Sequence, residues 1–145
     1  MKLEVYNKNF NKLLKYAESS AICVVYAKRN AEAQWQKNIK TITINNNNYG
    51  TVQELAFFLH ELGHVRDDYT LGLNKELDKA YLQFNKMISK TIKNTTNKNK
   101  MLVIDTEFRA WNYGINIAKH WYRDWETRQG IEIIELTKEL CDNDR

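Results

Sequence analysis

Long apolar segments are absent from the sequence, and this absence limits where the protein can act. The longest, AICVVYA at residues 21–27, is far shorter than the roughly 20 residues that span a bilayer. The first ten residues, MKLEVYNKNF, are polar and charged where a secretory signal carries an apolar run of about 7–15 residues. The sequence therefore predicts a soluble, cytoplasmic protein with no membrane partner.

Cysteine is scarce, and the charges nearly balance. The two cysteines, Cys23 and Cys141, form no metal-type pair, and we expect both to be reduced thiols without a catalytic role. The chain carries 22 lysines and arginines against 18 acidic residues, a formal net charge of +4. A dedicated nucleic-acid binder usually concentrates positive charge far more strongly, so the overall charge indicates no particular partner.

The length of 145 residues predicts a single domain over residues 1–145, because domains usually hold about 100–150 residues. The β-branched run at 21–27 predicts a buried strand, and the alternation at 39–44 predicts a strand with one solvent-exposed face. Residues 31–38 fit either a strand or a turn. We expect an α+β fold in which a small sheet of two to four strands packs on four or five helices.

Helical periodicity recurs through the rest of the chain. It predicts helices over residues 7–18, 76–92, 101–125 and 131–140, with a loop at 93–100. A further helix is predicted from Thr51 to about Tyr69, because Thr51 and Glu54 have the spacing of a capping box. Its apolar residues fall on one side, which indicates a helix packed into the core.

The helix that starts near residue 51 contains HELGH at residues 60–64, an H-E-x-x-H motif. Imidazoles four residues apart lie about 40° apart around a helix, so His60 and His64 can reach one cation. Zinc suits them because it accepts imidazole nitrogen and, in catalytic sites, takes three protein ligands and a water. In this motif Glu61 takes the proton of the metal-bound water. The alternative is a helix with two partly exposed histidines and no metal.

A third ligand has to come from elsewhere in the chain. The longer motif that adds a glycine and a histidine after the second histidine is excluded, because those positions hold Asp67 and Thr70. Glu107 lies in a helical segment beside Phe108 and Trp111, which are expected to be buried. A buried carboxylate is costly unless it is paired or metal-bound, so we expect Glu107 to be the third ligand.

Other interpretations of this carboxylate stay open. Glu107 can instead form an ion pair with Arg109 or Lys119 at a helix surface. In that case Asp105 and His120 are the reserve candidates for the third ligand.

The HELGH motif, followed some forty residues later by E-x-x-A-W at 107–111, resembles the zincin metallopeptidases whose third ligand is a glutamate. Among these it resembles the small phage and mobile-element proteases related to the ImmA/IrrE group. The resemblance covers residues 39–121. It implies a zincin-like fold, in which a small, mostly antiparallel sheet packs on the HExxH helix and on a glutamate-bearing helix. In that family the edge strand aligns an extended peptide.

Site roles follow from the same resemblance. It implies zinc binding by His60, His64 and Glu107 and a general-base role for Glu61. The 42 residues between His64 and Glu107 are a longer insertion than the resemblance leads us to expect.

A peptidase built on this site needs one more donor for the oxyanion that develops on the scissile carbonyl. The candidates are Tyr69, Arg109, Tyr113 and His120.

Acids near the motif could orient the metal-bound histidines, because carboxylates outside the ligand set commonly do so. Asp67 and Asp68 are close enough to His64 for this, and solvated acids at a helix end are the alternative.

The function we expect is zinc-dependent hydrolysis of peptide bonds in a protein or peptide substrate. One alternative is a catalytically silent metal-binding protein of a phage or mobile element, with a regulatory or anti-defence role exerted by protein binding. The weakest alternative is nucleic-acid binding. Residues 79–100 hold six lysines and no acid, and the next helix is rich in aromatic residues, with Trp111, Trp121 and Trp125. No recognised nucleic-acid-binding motif accompanies these residues.

Overall fold

The computed structural model describes residues 3–28, 33–48, 51–72, 74–122 and 135–141. Helices and strands follow in the order α1 (Leu3–Ser19), β1 (Cys23–Ala27), β2 (Ala33–Gln36), β3 (Thr41–Asn45), α2 (Val52–Leu71), α3 (Lys75–Ile88) and α4 (Asn97–Tyr122). A 3-10 turn, Asn46–Asn48, follows β3, and residues 135–141 are helical. The α+β class is confirmed, and residues 31–38, left open between strand and turn, contain β2. The single domain over 1–145 stays a prediction.

The three strands form a mixed sheet in the order β1-β3-β2. β3 pairs parallel with β1 and antiparallel with β2. The prediction of a mostly antiparallel sheet is therefore wrong. The chain passes from β1 to the far edge, forms β2, and returns through a short turn, so β3 lies in the middle and runs in the direction of β1.

Burial of the two predicted strands is the reverse of what the sequence pattern indicates. β1 is an edge strand in which Val25 and Tyr26 are 39% and 37% exposed. β3 buries its last four residues, including the polar Thr43 and Asn45. The position of a strand within the sheet decides its burial, and periodicity along one strand carries no information about that position.

The motif-bearing helix α2 has well-defined ends. Thr51 is its N-cap, and the Thr51 side chain accepts a hydrogen bond from the Glu54 backbone N–H at 3.2 Å. At the other end Gly72 takes a φ of 71°, and its N–H donates to the Asp68 carbonyl at 2.8 Å. HELGH therefore lies in the middle of a 20-residue helix, away from the ends, where helices fray.

The glutamate-bearing helix α4 begins earlier than the sequence predicts. Thr96 caps it, because its Oγ1 accepts the Asn99 backbone N–H at 3.2 Å. The loop predicted at 93–100 is thus wrong for residues 97–100, whose lack of apolar side chains hides the first helical turn from periodicity. Residues 123–125 and 131–134 of the last two predicted helices lie outside the described ranges.

The main core lies between the sheet, α1, α2 and the C-terminal half of α4. Its buried apolar residues are Leu13, Ala17, Ile22, Ile42, Ile44, Leu55, Phe58, Leu59, Leu62, Val65, Ile117 and Ala118. A smaller cluster joins Trp111 and Ile115 to Cys141. Cys23 is exposed and Cys141 is buried, and no disulfide joins these two described cysteines. None of the described helices is both long enough and apolar enough to cross a membrane.

Helices α2 and α4 approach each other so closely that a side chain would not fit between them. A Cβ added to Gly63, inside the HELGH motif, would lie 1.9 Å from the Ala110 carbonyl oxygen. One turn along, a Cβ added to Gly114 would lie 2.7 Å from the Leu59 carbonyl oxygen. Glycine on each helix therefore allows backbone-to-backbone contact, and this contact brings the middle of α4 next to the motif.

Replacing Gly63 with alanine is expected to force α2 and α4 apart. We expect Gly63→Ala to lower the free energy of unfolding by about 2 kcal/mol, because overpacking usually outweighs the gain in helix propensity. Urea unfolding of the metal-free protein measures this. Gly114→Ala, with the wider 2.7 Å gap, should show a smaller loss, and a Gly63→Ala variant as stable as the original protein would contradict the explanation.

Candidate metal centre

The structure brings together the three residues that the sequence singles out as ligands. His60 and His64 point from α2 toward Glu107 of α4, and their ligand atoms all lie within 4.8 Å of one another. The two Nε2 atoms are 3.1 Å apart, and Glu107 Oε2 is 2.5 Å from His64 Nε2 and 3.6 Å from His60 Nε2. Two imidazole nitrogens and a carboxylate oxygen converge on one point, so this group could hold a metal ion.

His60 is held in place by packing. Its ring stacks on Trp111 of α4, with centroids 3.9 Å apart and planes at 28°. The residue is 6% exposed, and its Nδ1 is buried without a hydrogen-bond partner. The Trp111 ring therefore orients this imidazole, a role that a carboxylate usually has in metal sites, while Nε2 remains directed at Glu107.

Glu61 lies on the same helix and is also enclosed. It is 6% exposed, and the backbone N–H of Trp35 in β2 donates to its carboxylate. Burial raises the pKa of Glu61, although the positive charges of His64 and His60 oppose this shift. A carboxylate with a raised pKa next to two imidazoles is suited to accept and hold a proton.

Strong electrostatic coupling joins His64 to Glu107. Burial alone lowers the pKa of His64, but the hydrogen bond to Glu107 and the nearby negative charges outweigh it and raise the pKa to about 9. Burial likewise opposes ionisation of Glu107, but the two histidines hold its pKa well below the usual range. In the metal-free protein the pair is thus a protonated imidazole against a carboxylate.

Tyr81 of α3 completes the surroundings of Glu107. Its hydroxyl donates to Glu107 Oε2 at 3.3 Å. Burial and the charge of Glu107 raise the pKa of Tyr81, so the hydroxyl keeps its proton at neutral pH. The sequence pattern does not single out Tyr81, because it lies on the apolar stripe of α3. The phenolic hydroxyl, which needs a partner when buried, was the available signal.

The two acids after the motif have partners other than the histidine rings. Asp67 forms an ion pair with Arg109 of α4, with a shortest distance of 2.8 Å. Asp68 accepts a hydrogen bond from the Trp35 indole N–H at 2.5 Å. Both acids therefore connect α2 to its neighbours. The interpretation of Glu107 as a partner of Arg109 is not supported, because Arg109 is turned to Asp67.

The remaining candidates lie elsewhere. Asp105 and Lys119 of α4 are exposed, and Asp105 is not part of the ligand group. Tyr69 is 57% exposed, while the ring of Tyr113 lies 5.3 Å from the Arg66 guanidinium carbon. The side chain of His120 lies outside the described part of the structure.

The lysine-rich window spans the second half of α3, the following loop and the first turn of α4. One of its members, Lys98, forms an exposed ion pair with Glu76 of α3. This ion pair connects the first turn of α4 to α3. Nothing in the described part of the chain shows a ligand of this surface.

Comparisons with protein-family models, with curated proteins and with solved structures found no match. The resemblance to a zincin family therefore stays an expectation.

Metal binding should release a proton at neutral pH. The pKa of His64 is about 9 in the metal-free protein, and only neutral imidazole binds a metal, so binding must displace this proton. We expect the apparent zinc affinity to rise about tenfold per pH unit from pH 7 toward pH 9. Calorimetric titration in buffers of different ionisation enthalpy counts the protons, and a proton release of zero at pH 7 would contradict the described pair.

The same shift links pH to the stability of the metal-free fold. A raised folded-state pKa means that His64 contributes its full stabilisation below its ordinary value of 6.5 and loses it as pH rises through about 9. Urea unfolding at pH 6.5 and pH 9.5, with chelator present, should show this decrease for the original protein. A His64→Gln variant should show less of it.

Proposed function

We propose that this chain is a cytoplasmic zinc metallopeptidase of the zincin type, which hydrolyses peptide bonds of a protein or peptide substrate. The observation that supports it most directly is the meeting of His60, His64 and Glu107 from two helices, with Glu61 on the same helix as both histidines. Two histidines and a glutamate form one of the ligand sets of catalytic zinc sites.

The spacing of the donor atoms fits a small four-coordinate ion. Ligand atoms that lie 2.0–2.1 Å from a tetrahedral zinc are about 3.3 Å apart. The observed separations of 2.5, 3.1 and 3.6 Å lie on both sides of that value. Three protein ligands leave a fourth position for water, the arrangement that separates catalytic from structural zinc sites.

Bound zinc supplies polarisation of the scissile carbonyl and a lowered pKa of its water. Glu61 then acts as the general base and takes the proton of the attacking water. Burial, which raises the pKa of Glu61 in the metal-free protein, favours the protonated form that delivers the proton to the leaving amine.

Tyr81 is the residue that we assign to the oxyanion. Its hydroxyl is 3.3 Å from the Glu107 ligand oxygen, so it borders the ligand group. Of the donors expected from the sequence, Arg109 is turned to Asp67 and Tyr69 is largely exposed. The hydroxyl has one proton, so it has to turn from Glu107 Oε2 to donate to a carbonyl oxygen as negative charge develops on it.

One observation favours the alternative of a catalytically silent metal-binding regulatory protein. Glu61 is 6% exposed and accepts the Trp35 backbone N–H, so little of this residue is open to a substrate. A protein that binds metal to hold α2 and α4 together, and acts by binding another protein, would not need Glu61 to be accessible.

Glu61→Gln separates these two functions. The amide cannot accept the proton of the attacking water, so we expect peptide hydrolysis to fall by 10²-fold or more, of the order of general-base effects, with zinc content unchanged. Digestion of a proteome-derived peptide library, followed by mass spectrometry, measures cleavage without knowledge of the substrate. Elemental analysis measures zinc.

Each outcome of that experiment has a clear meaning. His60→Ala is the matched control and should lose both zinc and cleavage. A zinc-loaded original protein that cleaves no peptide or protein would overturn the peptidase and support the silent alternative, and cleavage that survives in Glu61→Gln would show that another group is the base.

Tyr81→Phe tests the oxyanion role. Loss of one oxyanion donor should lower kcat by about 10²-fold or more, with less than a tenfold change in zinc affinity. Tyr113→Phe removes a hydroxyl from the neighbouring helix α4 and should leave kcat unchanged. Equal activity of both variants would remove Tyr81 from the mechanism.

A further inference from the structure

An ion pair beside the ligand group joins α2 to α4, and the peptidase chemistry makes no use of it. The Asp67 side chain is 2% exposed. Arg109 donates to it through Nε at 2.8 Å and through Nη2 at 3.2 Å. The same Nη2 lies 3.0 Å from Thr106 Oγ1. A planar guanidinium fixed at three oxygen atoms has essentially one orientation.

The ion pair is close in sequence to a ligand on each helix. Asp67 follows His64 by three residues, and Arg109 follows Glu107 by two. The Gly63 contact sets how closely the helices approach, but it is a van der Waals contact and, unlike a hydrogen bond, is not directional. A slip of one residue moves a helix by 1.5 Å and turns the contact by about 100°, enough to break the 2.5 Å contact between Glu107 and His64.

Stability alone is a poor explanation for this pair. The Arg109 side chain is 39% exposed, and an ion pair that is open to solvent on one side usually contributes little to stability. The best-attested use of a buried charged group such as Asp67 is to specify register between elements. The bidentate geometry of Asp67 and Arg109 suits this use, because its hydrogen bonds are directional and fail when either helix shifts.

We propose that the Asp67–Arg109 ion pair is a positioning device that sets the register of α2 against α4 and thereby holds Glu107 where it and both histidines can bind one metal ion. The inference rests on the metal binding in the proposed function. Asp67 and Arg109 are positioning residues, since both act through the location of Glu107.

The test compares metal affinity with stability in the full chain. Asp67→Asn removes the charge but keeps the shape, and the double variant Asp67→Leu/Arg109→Met replaces the ion pair with an apolar contact. We expect zinc affinity, measured by competition with a chromophoric chelator, to fall about 10–100-fold in both, as for other residues that orient metal ligands. The metal-free double variant should unfold within about 4 °C of the original protein.

Coordination gives a second readout that a purely structural role would not change. Cobalt substituted for zinc should show the absorption of a three-protein-ligand tetrahedral site in the original protein, and an altered spectrum in Asp67→Asn. Arg109→Lys keeps the positive charge but loses the two-point hydrogen bonding of the guanidinium, and should give an intermediate zinc affinity. This conservative variant keeps the test decisive if Asp67→Asn fails to fold.

A matched control lies on another helix pair. Glu76→Gln removes the exposed ion pair between Glu76 and Lys98, about two and a half turns along α4 from Glu107, and should leave zinc affinity unchanged. Variants of Asp67 and Arg109 that fold and bind zinc as tightly as the original protein would overturn the inference. So would an original protein that binds no zinc.

The two proposals can fail separately. An original protein that binds zinc through His60, His64 and Glu107 but cleaves nothing would end the peptidase proposal and leave the positioning role of Asp67 intact. If cleavage depends on Glu61 but the Asp67 and Arg109 variants bind zinc as tightly as the original protein, the peptidase proposal stands and the positioning role fails.

Discussion

The close approach of α2 and α4 at Gly63 is the constraint on which the candidate site depends. A glycine within the HELGH motif lets the Ala110 backbone come closer than any side chain would permit. Glu107 lies three residues before Ala110, about one helical turn away, and so reaches His60 and His64 even though 42 residues separate it from the motif in sequence. A glycine that looks like a variable position of the motif is therefore a packing residue.

Around that contact the protein gathers several ionisable groups in a largely enclosed space. Glu61, Asp67 and Glu107 would repel one another, and each has a partner: the Trp35 backbone, the Arg109 guanidinium and the two histidines. An enclosed cluster of this kind is costly unless its charges are paired. A cation at the centre would take over the role that the His64 proton has in the metal-free protein.

Much of the site could be predicted from the sequence, because its information is local. HELGH is five consecutive residues on a helix with a clear N-cap at Thr51, and Glu107 is an acid in an apolar helical pattern. Trp35 and Tyr81 could not be found in this way. Each comes from an element whose position relative to α2 depends on tertiary packing, and neither segment carries a motif.

The sheet shows the same limit at the level of the fold. The strands at 21–27 and 39–44 were predicted from their residues, but their burial was assigned in reverse and the direction of β1 relative to β3 was not foreseen. Alternation of apolar and polar residues along one strand distinguishes the two faces of that strand. It does not show which strands pair, and strand order depends on that pairing. Thr43 is buried because β3 is central, which no pattern within IKTITI reveals.

Trp35 ties the edge of the sheet to the motif helix at two separate points. Its backbone N–H is bound to Glu61 and its indole N–H to Asp68, and these acids lie seven residues apart on α2, about two helical turns. A rotation of the indole alone releases only one of them. Separation of strand β2 from α2 would consequently break both hydrogen bonds together.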